Sequence, residues 1–152
     1  MRSIYITVIL IFLSEIVVAQ ISEIKTESPD WILYGQVKYV GPAKASLQFI
    51  PHETDSTFLL LLWDQRPELK NYFSIRFSSR GNTVEQLYEV LLSFFEKGNS
   101  RDKQEIRRFQ LGTEQVSIYR SPTIGTQAII LSTQKGRIEL RKGEIKKLFR
   151  KE

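Results

Sequence analysis

The sequence predicts an α+β domain built on a mainly antiparallel sheet of about eight strands. The elements run in the order four strands, helix, four strands, short C-terminal helix. Three observations predict this class. Apolar and polar residues alternate with a period of two through most of the chain, the mark of half-buried strands. The period becomes helical in two places, after Thr83 and again near the C-terminus. The gaps between neighbouring strands are short, which favours antiparallel hairpins, since parallel pairs need crossovers of a dozen or more residues. Strand runs with helices at intervals suit helices that cover one face or one end of such a sheet.

The chain opens with an address. Met1-Arg2-Ser3 is followed by an apolar run from Ile4 to Leu13, with Val17 and Ala19 at the −3 and −1 positions of a cleavage site. Residues 1–19 therefore read as a secretory signal peptide, leaving Gln20 as the first residue of the mature chain. A membrane-spanning helix needs about 20 apolar residues, and Glu15 ends this run too early. Residues 20–30 are polar and form a flexible leader, and residues 31–152 form a single α+β domain. Export combined with the absence of cysteine and of Asn-x-Ser/Thr sequons points to a bacterial periplasm or the cell exterior.

From Trp31 the alternation places Trp31, Leu33, Gly35, Val37 and Tyr39 on one face, with Gln36 and Lys38 opposite. Gly41-Pro42 stops that strand. Ala45, Leu47 and Phe49 alternate in the second strand, which Pro51 closes. Phe58 to Trp63 is apolar without alternation, the pattern of a central strand covered on both faces with Trp63 in the core. Phe73, Ile75 and Phe77 mark the fourth strand.

Val84, Leu87, Tyr88, Val90, Leu91, Leu92, Phe94 and Phe95 span a broad arc of a helical wheel, so this helix should lie deep against the sheet. Asn82 or Thr83 would cap it, with Glu85 or Gln86 completing a capping box, and Gly98 would end it. A charged connector at Asn99–Lys103 follows. Strands resume at Phe109 and Leu111, at Val116 and Ile118, at Ala128 to Leu131, and at Ile138 with Leu140. Turns are expected at Gly112-Thr113, in the loop Ser121–Gly125 and at Lys135-Gly136. Ile145, Leu148 and Phe149 line one side of the last helix. The two halves share an element order suggestive of a weak structural repeat.

Composition bounds the chemistry. At 41% hydrophobic and 11% aromatic, the chain has enough apolar material for a folded core. Without cysteine there is no disulfide, thiol nucleophile or iron–sulfur site, and a single histidine rules out paired-His zinc motifs. His52-Glu53-Thr54-Asp55 offers too few ligands for a metal, and turn chemistry accounts for it. No Gly-x-Ser-x-Gly elbow presents a serine. Asp64 and Glu68 are carboxylates in a loop, which alone does not make a glycosidase pair. Trp31 and Trp63, like Phe94 and Phe95, are explained by strand and core packing. No catalytic residue, metal ligand or cofactor is assigned.

Charge is the uneven feature. Residues 20–100 carry 8 Lys/Arg against 10 Asp/Glu, whereas residues 101–152 carry 13 against 6. Such asymmetry points to an anionic partner, with Arg107, Arg108, Arg141, Lys142, Lys146 and Lys147 as the candidate contact residues. In an exported protein that partner is an anionic surface, an acidic glycan or an acidic protein. Nucleic acid is disfavoured, because no nucleic-acid-reading signature accompanies the charge. The expected function is therefore non-catalytic binding by an exported domain. The competing expectations are a carrier with an apolar ligand between helix and sheet, and a small carboxylate-dependent hydrolase.

Overall fold

The computed structural model describes residues 30–68, 71–96, 105–122 and 127–151. Residues 1–19, read from sequence as a signal peptide, nearly all of the expected leader, the expected stop at Gly98, the Asn99–Lys103 connector and part of the Ser121–Gly125 loop lie outside the described residues.

Strands β1 (Ile32–Val37), β2 (Ala45–Pro51), β3 (Ser56–Trp63) and β4 (Tyr72–Ser78) form an antiparallel meander in chain order. A 3-10 turn at Arg80–Asn82 leads into helix α1 (Thr83–Ser93). Strands β5 (Arg107–Leu111), β6 (Glu114–Arg120), β7 (Ala128–Ser132) and β8 (Arg137–Arg141) form a second meander, and helix α2 (Lys142–Leu148) follows. The class is α+β, and the eight strands divide into two four-stranded sheets. Each half is thus a meander followed by a helix.

Both sheets and both helices share one apolar core. Leu47, Leu60, Leu62 and Ile75 from the first sheet meet Ile118, Leu131, Ile138 and Leu140 from the second, with Leu91, Ile145, Leu148 and Phe149 from the helices. Each such side chain contributes about 1.5–3 kcal/mol when fully buried. Phe49, Phe58 and Phe77 occupy one row across β2, β3 and β4, stacked with ring centroids 5.6 and 5.7 Å apart.

Close approaches of backbone fix the layers. A Cβ on Gly35 would sit 2.2 Å from the Leu148 carbonyl oxygen, so β1 and the end of α2 touch main chain to main chain. Gly112, at φ +60°, turns the β5–β6 hairpin directly against the Arg76 carbonyl of β4.

Three sequence expectations need correction. The register of β1 shifts between Leu33 and Gly35, so a bulge breaks the single face drawn from Trp31 to Tyr39. Leu33 faces outward opposite Gln48, whereas Tyr34 packs on the core against Phe49 and Phe58. Strand β3 is central but not covered on both faces: Phe58, Leu60 and Leu62 are buried, while Leu59, Leu61 and Trp63 are half-buried on the outer side. Helix α1 ends at Ser93, before Phe94, and buries only Leu87 and Leu91. Asn82 precedes it in the left-handed conformation without a side-chain cap, and Gln86 donates instead to the Gly81 carbonyl at 2.8 Å. The helix lies shallower than its broad apolar arc implies, because Val84, Tyr88, Val90 and Leu92 are only partly buried.

Candidate functional site

The second sheet turns Ile118, Leu131, Ile138 and Leu140 into the core, so the intervening residues of each strand form its outer face. Cross-strand pairing places Arg108, Ser117, Ser132 and Arg137 in one row across β5, β6, β7 and β8. Arg108 and Arg137 therefore stand three strand spacings apart, roughly 14 Å. Arg141 shares that face with Arg137, four residues further along β8, or roughly 13 Å. Gln110, Gln115 and Tyr119 also lie on this face. Glu139, between the two arginines, accepts a 2.7 Å hydrogen bond from the Ser121 hydroxyl. Lys142 and Gly143 continue from Arg141 as the exposed start of α2.

Strand β8 carries half of this array and is an edge strand, whose unpaired N–H groups would ordinarily be open to further pairing. The chain closes them with side chains. The Arg137 N–H donates to Asp64 Oδ1 at 3.2 Å, the Glu139 N–H to Gln65 Oε1 at 2.7 Å, and the Arg141 N–H to Glu144 Oε2 at 2.7 Å. The Gln65 N–H returns a bond to the Arg137 carbonyl at 2.9 Å. The segment just after β3 thus clamps the edge of the second sheet to the first.

Two buried carboxylates do most of this. Asp64, 3% exposed, takes the Arg66 guanidinium on both oxygens, with Nη2 at 2.5 Å from Oδ2. Those hydrogen bonds hold its carboxyl below the ordinary carboxylate value, against the opposing effect of burial. Glu144, 4% exposed, receives Lys44 Nζ at 2.7 and 2.9 Å and the Tyr39 hydroxyl at 3.0 Å. Loss of water at the Tyr39 hydroxyl raises its pKa, helped by the hydrogen bond to Glu144, although the ring is mostly exposed. Among the described residues no buried side-chain polar atom lacks a partner. Asp64 is therefore committed to structure.

The cations divide by what they meet. Lys44, Arg66, Arg80, Lys135 and Lys151 each close a salt bridge, with Glu144, Asp64, Asp55, Glu114 and Glu85 respectively. Arg76, Arg107 and Arg150 lie over the rings of Trp31, Phe94 and Tyr34, each at 5.6 Å. Among the described residues, Arg108, Arg137, Arg141, Lys142, Lys146 and Lys147 meet no carboxylate within salt-bridge distance.

Of the six residues singled out from sequence, Arg108, Arg141 and Lys142 fall on or beside one face. Lys146 and Lys147 sit in the last turn of α2. Arg107 belongs elsewhere: neighbours in a strand point to opposite faces, and its guanidinium donates to the Ser93 hydroxyl at 2.9 Å beneath α1. Arg137 belongs with the array. The period of two through Arg137, Glu139 and Arg141 already carried that signal. Arg101 and Lys103 lie outside the described residues.

The His52 loop is spent on turn formation. His52 Nε2 lies 2.9 Å from Thr57 Oγ1, and Asp55 accepts from the Ser78 hydroxyl and from Arg80 Nε. Among the described residues no group of three His, Asp or Glu side chains is placed to hold a metal ion, and no helix is long and apolar enough to cross a membrane. Comparison with protein-family models, curated proteins and solved structures finds no match to this chain.

Proposed function

We propose that this protein is an exported, non-catalytic binding domain that recognises an anionic partner through the outer face of its second sheet. Arg108, Arg137 and Arg141 are the principal contacts, and Lys142 extends them onto α2. Lys146 and Lys147 lie further along the helix and add to the field. The observation that carries this reading is the sorting of cations. Lys44, Arg66 and Arg80 are neutralised within the fold, whereas among the described residues the array on β5, β8 and α2 meets no carboxylate within salt-bridge distance. Spacings of roughly 13–14 Å between its arginines suit a repeating or extended anion better than a single small one.

Retention on a sulfated polysaccharide resin tests the proposal, because attraction between exposed charges fades as the screening length falls from about 10 Å at 0.1 M salt to about 3 Å at 1 M. The chain should bind at low salt, and the combined Arg108→Ser, Arg137→Ser and Arg141→Ser variant should elute far earlier. Arg80→Ser removes the same sign of charge from a salt-bridged site off this face and should shift elution only slightly. Equal shifts per charge at Arg80 and at the face would reduce the effect to net charge and refute the proposal. Absence of retention at low salt would refute it too.

A further inference from the structure

The loop between β1 and β2 stands at the end of the same basic array, and its exposure is unlike that of any apolar segment around it. Val40 is 95% exposed and Tyr39 66%. This is not a loosely held tip. The Lys44 N–H closes the loop on the Val37 carbonyl at 2.8 Å, and the Tyr72 hydroxyl donates to the Ala43 carbonyl at 2.6 Å. The Tyr39 hydroxyl is tied to Glu144, the same carboxylate that receives the Arg141 N–H. The tip is therefore fixed beside the start of α2, with Lys38 on its own strand side and Arg141 and Lys142 across from it. Among the described residues, none of these three cations meets a carboxylate within salt-bridge distance. Glu144, the acid to which the Tyr39 hydroxyl is tied, is already neutralised by Lys44.

An exposed valine and a tyrosine, flanked by cations that close no salt bridge among the described residues, match the two layers of an anionic lipid surface. Apolar side chains enter the acyl boundary, a tyrosine ring sits at headgroup level, and lysine and arginine meet the headgroup charge. A soluble acidic glycan would use the cations but gives Val40 nothing to bury against. We infer that the anionic partner is a lipid bilayer surface, with the Tyr39-Val40 tip inserted at its interface and Lys38, Arg141 and Lys142 on its headgroups. This rests on the anionic-partner reading above and names the class of that partner.

Each cation near an anionic surface is worth about a fivefold gain in partition, so the three together give about a hundredfold at low salt. Burying Val40 adds about tenfold or more. The test is co-sedimentation of the chain, as purified from its producing cells, with phosphatidylcholine vesicles containing about one third phosphatidylglycerol. Phosphatidylcholine alone and the sulfated resin serve as parallel probes.

The chain should bind the anionic vesicles and bind neutral ones far more weakly. Val40→Ser, which removes the apolar side chain without changing charge, should lower vesicle partition about tenfold while leaving elution from the sulfated resin nearly unchanged. The combined Arg141→Ser and Lys142→Ser variant should weaken both. Val40 has almost no contacts to lose, and an unchanged melting temperature for Val40→Ser separates insertion from misfolding. Vesicle binding unaffected by Val40→Ser would overturn the insertion, and equal binding to neutral vesicles would overturn the assignment of an anionic lipid surface. Retention on the sulfated resin with no vesicle binding would overturn the lipid inference and leave the anionic-partner reading standing. Failure on both surfaces would remove both.

Discussion

Asp64→Asn keeps the volume of a side chain that is 3% exposed and removes only its charge. The retained carbonyl oxygen can still serve the Arg66 and Arg137 N–H groups, now 3.1 and 3.2 Å from Oδ1. The new NH₂ group, however, faces the Arg66 guanidinium, donor against donor. Breaking a wholly buried ion pair costs about 3–5 kcal/mol, and a hydrogen bond to a charged group is worth about 1.5–3. The Arg66 side chain is 37% exposed and regains water, which places the loss at about 2–3 kcal/mol. For a domain of this size that lowers Tm by about 6–15 °C. Urea and thermal unfolding at neutral pH measure it, and a cycle with Arg66→Gln should return a coupling of about 1–2 kcal/mol. A change below about 0.5 kcal/mol would show that the clamp between the sheets carries no weight and would refute the reasoning.

The same carboxylate fixes a pH dependence. Its folded pKa lies below its ordinary value of 3.8, chiefly through the Arg66 hydrogen bonds. Asp64 therefore binds protons more readily in the unfolded chain. Its stabilisation is fully present above the unfolded value and is lost as pH falls through the lower folded one. Unfolding midpoints followed down to about pH 2 should fall steeply for the wild type and less so for Asp64→Asn; parallel acid limbs would contradict this. Gly35→Ala forces a Cβ to within 2.2 Å of the Leu148 carbonyl and should cost about 1–3 kcal/mol by urea unfolding. Gly143→Ala enters open space on α2 and should be neutral or stabilise by up to about 1 kcal/mol. N-terminal sequencing of exported protein should begin at Gln20, and a product starting at Met1 would contradict the signal reading.

Most of the architecture was legible as periodicity. Alternation located most of the strands, continuous apolar runs located those at Phe58–Trp63 and Ala128–Leu131, and the change of period located both helices. Alternation also contained the candidate face, since Arg137, Glu139 and Arg141 share a side of β8, whereas the adjacent Arg107 and Arg108 cannot. What periodicity could not supply was parity across an irregularity. The bulge at Leu33–Gly35 turns Leu33 outward and Tyr34 inward, while Gly35 and Val37 beyond it keep the inward side the alternation gave them. Nor could it tell a fully covered strand from one with a leucine-rich outer side, because Leu59, Leu61 and Trp63 look the same in sequence whether or not a layer lies over them. The long-range partners were equally hidden. Glu144 meets Lys44 and Tyr39 from a hundred residues away in sequence, and Asp64 meets the edge of β8. These contacts decide which cations are neutralised within the fold.

Amide chemical-shift mapping during titration with a short sulfated oligosaccharide at low salt tests the central claim most directly, because it reports by residue which surface meets the anion. The account predicts shifts concentrated at Arg108, Ser117, Ser132, Arg137, Arg141 and Lys142 that reverse as salt is added. Shifts centred instead on the outer side of the first sheet, around Ser46, Leu59 and Leu61, or none at low salt, would contradict it.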